Sequence, residues 1–342
     1  MREGLARRRD GGNYNRDEGS YNAAAPRVSV LVCAAMKLRE VAAPDFDLAM
    51  TLDSGQVFHW EKQDRGFAGA IGETAVYVQQ NGKTLNFSGA SAKTIVGYFA
   101  LDHPLDEICA TFPRDEAMNS AREFCRGLRI IRQPKWECLA TFICSSMKQV
   151  AHIRQISAAL RRRFGTVKKV CGRSVFTFPA PERLARTSER ELRACALGYR
   201  ARNLLMTSQQ VASGQANLEY WNKLSDSELR ECLCDLPGVG TKVANCVMLF
   251  AYERIRAFPI DVWIERVLRE QYFAVKSRVT AKTLAEFAAT YFGGHGGYAQ
   301  QYLFHYARMS KQRTRGHVRD LAHLLGMTNA ARKTRQRVRG PS

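Results

Sequence analysis

No apolar run in this 342-residue chain approaches the ~18 residues that a membrane-spanning helix needs. The stretch VSVLVCAAM (Val28–Met36) resembles a short signal core, but the mixed charges before it, Glu3, Asp10, Asp17 and Glu18 among them, argue against an export signal. Paired cysteines are missing too. The ten cysteines are scattered, several within apolar helical text such as TFICSSM and VANCVML, and only Cys232 and Cys234 lie close together. A single C-x-C is poor zinc spacing, and no cysteine cluster follows Cys246 to hold an iron–sulfur centre. The expectation is reduced thiols, with no disulfide scaffold and no metal. Acid is in short supply: 32 Asp+Glu face 52 Lys+Arg, a formal charge of +20. That excess says little about fold but favours polyanionic partners, nucleic acid before acidic membrane surfaces.

What is present sorts into four parts. Residues 1–35 are rich in Arg, Gly, Asn and Asp without apolar periodicity before Val28, and read as a disordered tail. An antiparallel sheet domain is expected over 36–112. Between about Phe46 and Phe87 the runs QVFHWEK, GFAGAIG, TAVYVQQ and TLNFSG alternate with turn signals such as NGK (Asn81–Lys83), the pattern of a meander. Beyond Ala90 the text becomes helical, and a helical domain is expected over 113–310. RDEAMNSAREFCRGL, PKWECLATFICSSM, QVAHIRQISAALRRRFG and SDSELRECLCDL carry apolar residues at three- and four-residue spacing, often after Ser, Asp or Pro. From Lys311 a basic tail, with nine Lys/Arg and one Asp, reads as solvated chain with non-specific affinity for polyanions. The predicted fold class is α+β, a small antiparallel sheet domain followed by a larger helical one.

The segment LPGVGTKVAN (Leu236–Asn245) carries the chemistry. A nucleotide-binding phosphate loop needs G-x-x-x-x-G-K-[ST] after a strand. Here the preceding text is helical, the glycine spacing is wrong and Val243 replaces the hydroxyl residue. Val243 also occupies the third-glycine position of the dinucleotide fingerprint, so both nucleotide readings fail. A helix, a tight Pro-Gly hairpin and a second helix fit another device. Gly238 and Gly240 leave backbone N–H groups at a helix N-terminus facing outward, where they can grip one DNA phosphate without reading sequence. A plain interhelical turn has the same composition, and the hairpin alone leaves both open. Lys242 falls in the first turn of the second helix, the end where the macrodipole disfavours a cation. An amine with an ordinary pKa of about 10.4 is protonated at neutral pH, so a nucleophilic lysine needs that value lowered, which a helix N-terminus and burial would favour. In AFPIDVW, Asp261 stands at the N-cap of the next helix. A carboxylate fixed there by N–H donors could also stabilise a cationic sugar or assist proton movement opposite the lysine.

These residues resemble the helix-hairpin-helix superfamily of DNA glycosylases and, within it, the 8-oxoguanine DNA glycosylases with abasic-site (AP) lyase activity. The resemblance runs in order through LDSGQVFHW (Leu52–Trp60), FICSS (Phe142–Ser146), LGYRARNL (Leu197–Leu204), LPGVGTKVANC with FPIDVW, and YAQQYLFHY (Tyr298–Tyr306), covering roughly residues 37–308. It implies Lys242 as the nucleophile on the anomeric carbon and Asp261 as the assisting carboxylate. The base is flipped out of the stack into a pocket. There the Gly55 carbonyl faces N7, a donor in the lesion and an acceptor in guanine; Cys246 and Phe304 sandwich the base, and Gln300 reads its Watson–Crick edge. The resemblance implies no cofactor, double-stranded DNA containing an oxidised purine as the partner, and a monomer. It implies action at the nucleoid of a bacterial cytoplasm or in a eukaryotic nucleus.

The departures lie at the DNA-facing turn. After FICSS the eukaryotic enzymes carry asparagines and then an arginine, which fill the gap and read the orphaned cytosine. Here Met147, Lys148 and Gln149 replace the asparagines and His152 the arginine, while Arg200 keeps the second cytosine-reading position. A methionine can wedge into a stack but offers no amide hydrogen bonds, which puts strict preference for cytosine in doubt. Lys148 is expected at the DNA backbone beside Gly238 and Gly240. Trp263 stands where the eukaryotic branch has a histidine, suggesting a bacterial-type or divergent member. Two alternatives remain: an alkylated-base glycosylase, whose hydrolytic relatives lack the lysine, and a non-catalytic DNA-binding module, which gives no reason for Lys242, Asp261 and Gln300 to occur together.

Overall fold

The computed structural model describes residues 38–273 and 279–324, with side chains in the last helix as far as residue 310. The expected N-terminal tail, residues 1–35, and the end of the basic tail, 325–342, lie outside the described residues.

The chain enters as β1 (Arg39–Ala42), and Asp47 then caps α1 (Leu48–Asp53) by accepting from the Met50 N–H at 2.8 Å. Strands β2 (Glu61–Gln63), β3 (Gly66–Ile71), β4 (Thr74–Asn81) and β5 (Thr84–Ser88) follow, joined by two-residue turns. The β4–β5 turn is Gly82–Lys83, within the expected NGK signal, with Gly82 at φ +57°. The sheet order is β1-β5-β4-β3-β2. The meander is therefore real from β2 to β5, and β1 joins it out of sequence on the edge of β5. Of QVFHWEK only Glu61 and Lys62 are strand, because Gln56–Trp60 is drawn off the sheet into the packing between sheet and helices.

Next come α2 (Ala92–Tyr98), α3 (Leu105–Ala110), α4 (Glu116–Phe124), α5 (Lys135–Ser145) and α6 (Val150–Phe164). One departure from the helical reading comes here: β6 (Val167–Val170) and β7 (Arg173–Phe176) form a hairpin inside the supposedly unbroken helical text. Its turn residues Cys171 and Gly172 both have positive φ, the arrangement that matches the twist of paired strands. Val170 and Val175 pack on Ala68, Ala70, Ala75 and Tyr77, covering one face of the large sheet. The other face, Val76, Val78, Leu85 and Phe87, packs on Leu48, Ile95 and Phe99. Both faces of β4 are thus covered, which is why its text reads as a nearly continuous apolar run.

The remaining helices are α7 (Pro181–Ala185), α8 (Glu189–Leu192), α9 (Arg200–Ala212), α10 (Asp226–Cys234), α11 (Thr241–Ala251), α12 (Val262–Tyr272), α13 (Ala281–Tyr291) and α14 (Gly296–Leu324). Helix α5 is buried from Glu137 to Ser145, as a helix apolar on every side must be, and Phe142 stacks on Phe250 of α11 with centroids 5.5 Å apart. Helix α14 runs on to Leu324, past the expected end of the helical part at 310; the basic text that suggested a solvated tail keeps a helical backbone for part of its length. No disulfide joins the nine cysteines among the described residues.

Candidate active site

The hairpin is built from α10, Leu236–Gly240 and α11. A capping box between Ser225 and Glu228 starts α10, and Leu236 and Val239 anchor the turn in the core. Gly238 has φ +82°, and a Cβ there would come within 2.7 Å of the Asn203 side chain, so conformation and space both require glycine. Gly240, the N-cap of α11, is different: its φ is −98° and a Cβ would meet nothing within 4 Å. No side chain caps α11, so its first N–H groups face outward.

Lys242 lies one residue into α11 and projects over Phe142, with Nζ 5.4 Å from the ring centroid. Its ammonium faces the Cys246 thiol one turn further on. Burial pushes that thiol up to about 11, against the pull of the ammonium beside it, so it stays protonated at neutral pH. Asp261 caps α12 and accepts from the Trp263 and Ile264 N–H groups at 3.0 and 2.9 Å. Capping alone predicts a carboxylate held firmly ionised. Burial reverses the net direction and raises its pKa above the ordinary carboxylate value, despite those donors and the Lys242 ammonium.

Lys242 and Asp261 face a cleft of about 460 Å³, whose walls include Gly55, Phe142, Trp263 and Phe304. Beneath it a hollow of about 40 Å³ brings together Gly55, Lys242, Cys246, Asp261, Gln300 and Phe304. The structure therefore gathers all six residues expected at the catalytic centre and base pocket around one hollow. Gln300 is buried, and its Oε1 has no hydrogen-bond partner among the described residues. Gly55, at φ +85°, sits so close to Phe304 that a Cβ would lie 2.9 Å from the ring.

The loop around Gly55 is tied down on both sides. The Asp53 carbonyl accepts from Arg308, the Ser54 carbonyl from Gln301 at 2.9 Å, and the Gln56 carbonyl from Gln133 at 2.7 Å. The buried Gln56 side chain itself bridges the Arg129 carbonyl and the Ile131 N–H. Among the described residues the Gly55 carbonyl accepts no hydrogen bond.

The rim residues do not all point the same way. Met147 is 93% exposed with φ +54°, a left-handed conformation costly for methionine and readily taken by asparagine. Lys148 is half-buried on the cleft wall, and His152 is exposed on the first turn of α6. Arg200 is buried. Its Nε donates to the Ser146 carbonyl at 2.7 Å, joined by Nη2, and Nη1 reaches the Leu197 carbonyl at 3.3 Å. It thus holds the turn that carries Met147. The Arg200 guanidinium also lies 4.3 Å from the ring centroid of the exposed Tyr199, an aromatic the sequence reading passed over. A kink over Arg193–Leu197, with Ala196 at φ +62°, precedes this pair.

The 8-oxoguanine DNA glycosylase N-terminal domain matches residues 40–139, and the HhH-GPD superfamily of base excision DNA repair proteins matches residues 140–290. The fold, with its helix-hairpin-helix, is thus that of a helix-hairpin-helix DNA glycosylase. The N-glycosylase/DNA lyase OGG1 of Arabidopsis thaliana is 29% identical over 291 residues, 79% of each chain. A solved structure of MBOgg1 with a low-affinity DNA ligand is 33% identical with a TM-score of 0.76, over 81% of this chain and 100% of that one. The Clostridium acetobutylicum 8-oxoguanine glycosylase/lyase, bound to double-stranded DNA with cytosine opposite 8-oxoguanine, is 30% identical with a TM-score of 0.75, over 81% of this chain and 99% of its own. The chain belongs to the 8-oxoguanine DNA glycosylase family.

Proposed function

We propose that this protein removes 8-oxoguanine from duplex DNA in base-excision repair and then cuts the strand at the abasic sugar. The observation that carries the reading is the hollow in which Lys242 meets two acceptors that have no partner among the described residues, the Gly55 carbonyl and Gln300 Oε1. A buried acceptor left unpaired among the described residues, as Gln300 Oε1 is, costs about 1–3 kcal/mol, a cost relieved by a ligand with matching donors. The protonated N7 of the lesion supplies one for Gly55 and its Watson–Crick edge supplies others for Gln300. Guanine turns an N7 acceptor toward Gly55 instead, and the mispaired carbonyl rejects it by a similar amount. The hollow of about 40 Å³ has room for little more than one water, so Phe304 must swing from Gly55 before a flipped base can enter between it and Cys246.

The chemistry follows from the amine. Once its nitrogen has given up a proton, Lys242 Nζ bonds to C1′, the glycosidic bond breaks, and the base leaves with that bond's electron pair and then takes up a proton. Opening of the sugar ring gives an imine between Lys242 and C1′. Loss of the C2′ proton expels the 3′-phosphate by β-elimination, and water releases the lysine. Asp261, fixed by two N–H donors and more basic than an ordinary carboxylate, is suited to carry protons beside the amine and to offset cationic charge on the sugar. The outward N–H groups at Gly240, together with Gly238 and Lys148, suit the DNA backbone. Met147 is suited to wedge into the stack, with His152 and Arg200 beside the orphaned base. With Arg200 committed to the Ser146 carbonyl, preference for cytosine is expected to be weak. We read the enzyme as a monomer.

Borohydride trapping on a duplex with one 8-oxoguanine opposite cytosine tests the assignment. Wild type should give a covalent adduct, while Lys242→Gln should give none yet bind the duplex. Binding without an adduct in wild type would sink the lyase reading.

A further inference from the structure

We infer that Arg308, one helical turn beyond Phe304, is a positioning residue for lesion recognition that aims the Gly55 carbonyl by clamping Asp53. The inference rests on the base-pocket reading above and adds a residue that the sequence motifs do not contain. Arg308 projects from α14 into the wall of the lesion cleft with only 7% of its side chain exposed. Its Nη2 donates to the Asp53 carbonyl and, at 3.1 Å, to Asp53 Oδ2. Arg154 of α6 holds the other carboxylate oxygen at 2.6 Å, so two arginines from two helices fix one aspartate. The same Nη2 lies 3.2 Å from His305 Nδ1. Burial and the guanidinium keep His305 down at about 4, so at neutral pH that ring is uncharged and can accept.

Asp53 is the last residue of α1, two positions before Gly55. Holding its carbonyl limits rotation of the peptides that set the direction of the Gly55 carbonyl. Arg308 also lies 6.0 Å from the ring centroid of Phe304, the ring against Gly55, so one side chain braces both the reading carbonyl and the stacking ring. A merely structural arginine is a poor choice here. The guanidinium is buried, and its Nε finds no partner among the described residues, an arrangement an apolar side chain would avoid. What leucine cannot supply is the directional hold on Asp53.

The test separates base recognition from strand chemistry. Wild type, Arg308→Leu, Arg308→Lys and Asp53→Asn are compared in single turnovers on duplexes carrying 8-oxoguanine, guanine or a preformed abasic site opposite cytosine. A misplaced pocket carbonyl costs about 10²-fold in excision of 8-oxoguanine by Arg308→Leu, with cleavage at the abasic site within about threefold of wild type and a smaller preference over guanine. Arg308→Lys, which keeps a donor, should recover part of that loss. Asp53→Asn removes the carboxylate but leaves the carbonyl, and should fall between. Should Arg308→Leu not fold, the lysine and Asp53 variants carry the same comparison. An unchanged ratio of excision to abasic cleavage in the folded variants, whether both rates hold or both fall together, overturns the inference. Wild type inactive on both the 8-oxoguanine and abasic duplexes sinks the proposed function instead.

Discussion

The cap that Asp261 forms and the role proposed for it beside Lys242 can be separated by a pair of substitutions. As N-cap Asp261 accepts from two backbone N–H groups, and as a half-buried carboxylate it faces Lys242 across the cleft. Asp261→Ala removes both the cap and the carboxylate. Truncating a cap costs about 0.5–2 kcal/mol, which at this chain length means a melting temperature lower by a few degrees. Asp261→Asn keeps an oxygen acceptor, and asparagine caps as well as aspartate, so the capping energy survives. The charge adds a second contribution. Because the folded-state pKa is raised, the ionised carboxylate disfavours folding at pH values above that pKa, and the penalty disappears below the unfolded value. Asp261→Asn removes it, so near pH 7 the variant should melt at or slightly above wild type. Excision should nonetheless drop about 10²–10⁴-fold, the usual weight of a proton-transfer group. In wild type the single-turnover rate should also fall with decreasing pH along a limb above the ordinary carboxylate range, a limb the asparagine variant lacks. Thermal melts and single-turnover excision from pH 4 to 8 (on the order of one point per half unit) follow both quantities across the range where an acid titrates. An asparagine variant as active as wild type would reduce Asp261 to a cap and refute the reasoning.

Three further outcomes are expected. Gly238→Ala puts a Cβ against Asn203 at positive φ and should destabilise by about 1–3 kcal/mol, whereas Gly240→Ala should melt like wild type yet bind duplex DNA less well, because its Cβ fills only the space a phosphate needs; melts and fluorescence anisotropy distinguish them. Met147→Asn relieves the left-handed strain and should stabilise by up to about 1 kcal/mol in urea titrations, while slowing excision if methionine is the wedge. Cys246, protonated up to about 11 and buried, should resist iodoacetamide in the native protein at pH 8 and react only after unfolding, as read by mass spectrometry.

The parts legible in the sequence are those whose physics is local. Pro237 and Gly238 announced the hairpin, the proline–aspartate step before Val262 announced a capped helix, and the helical spacing of α4, α5, α6 and α10 appears as helices in the structure. The β6–β7 hairpin was hidden because its strands hold only four residues each and β6 carries two lysines, so its apolar contacts come from a sheet far away in sequence. The candidate site divides the same way. Lys242, Asp261 and Gly238 carry signatures in their neighbours. Nothing adjacent to Arg308 or Gln133 announces that both reach back to the Gly55 loop, because those contacts exist only after α1, α5 and α14 have come together.

The hairpin that covers the outer face of the sheet has a consequence for biosynthesis. Ala75 and Tyr77 are shielded by Val170 and Val175, which leave the ribosome about a hundred residues later, several seconds or more at bacterial or eukaryotic elongation rates. Until then the nascent sheet can bury its inner face on α1 and α2 but must leave an alanine- and tyrosine-lined surface open, with the strand edges of a short meander beside it. The newborn chain therefore has a window in which a chaperone has something to hold, and in which a slowed ribosome anywhere between α2 and β7 prolongs the exposure of a half-finished sheet.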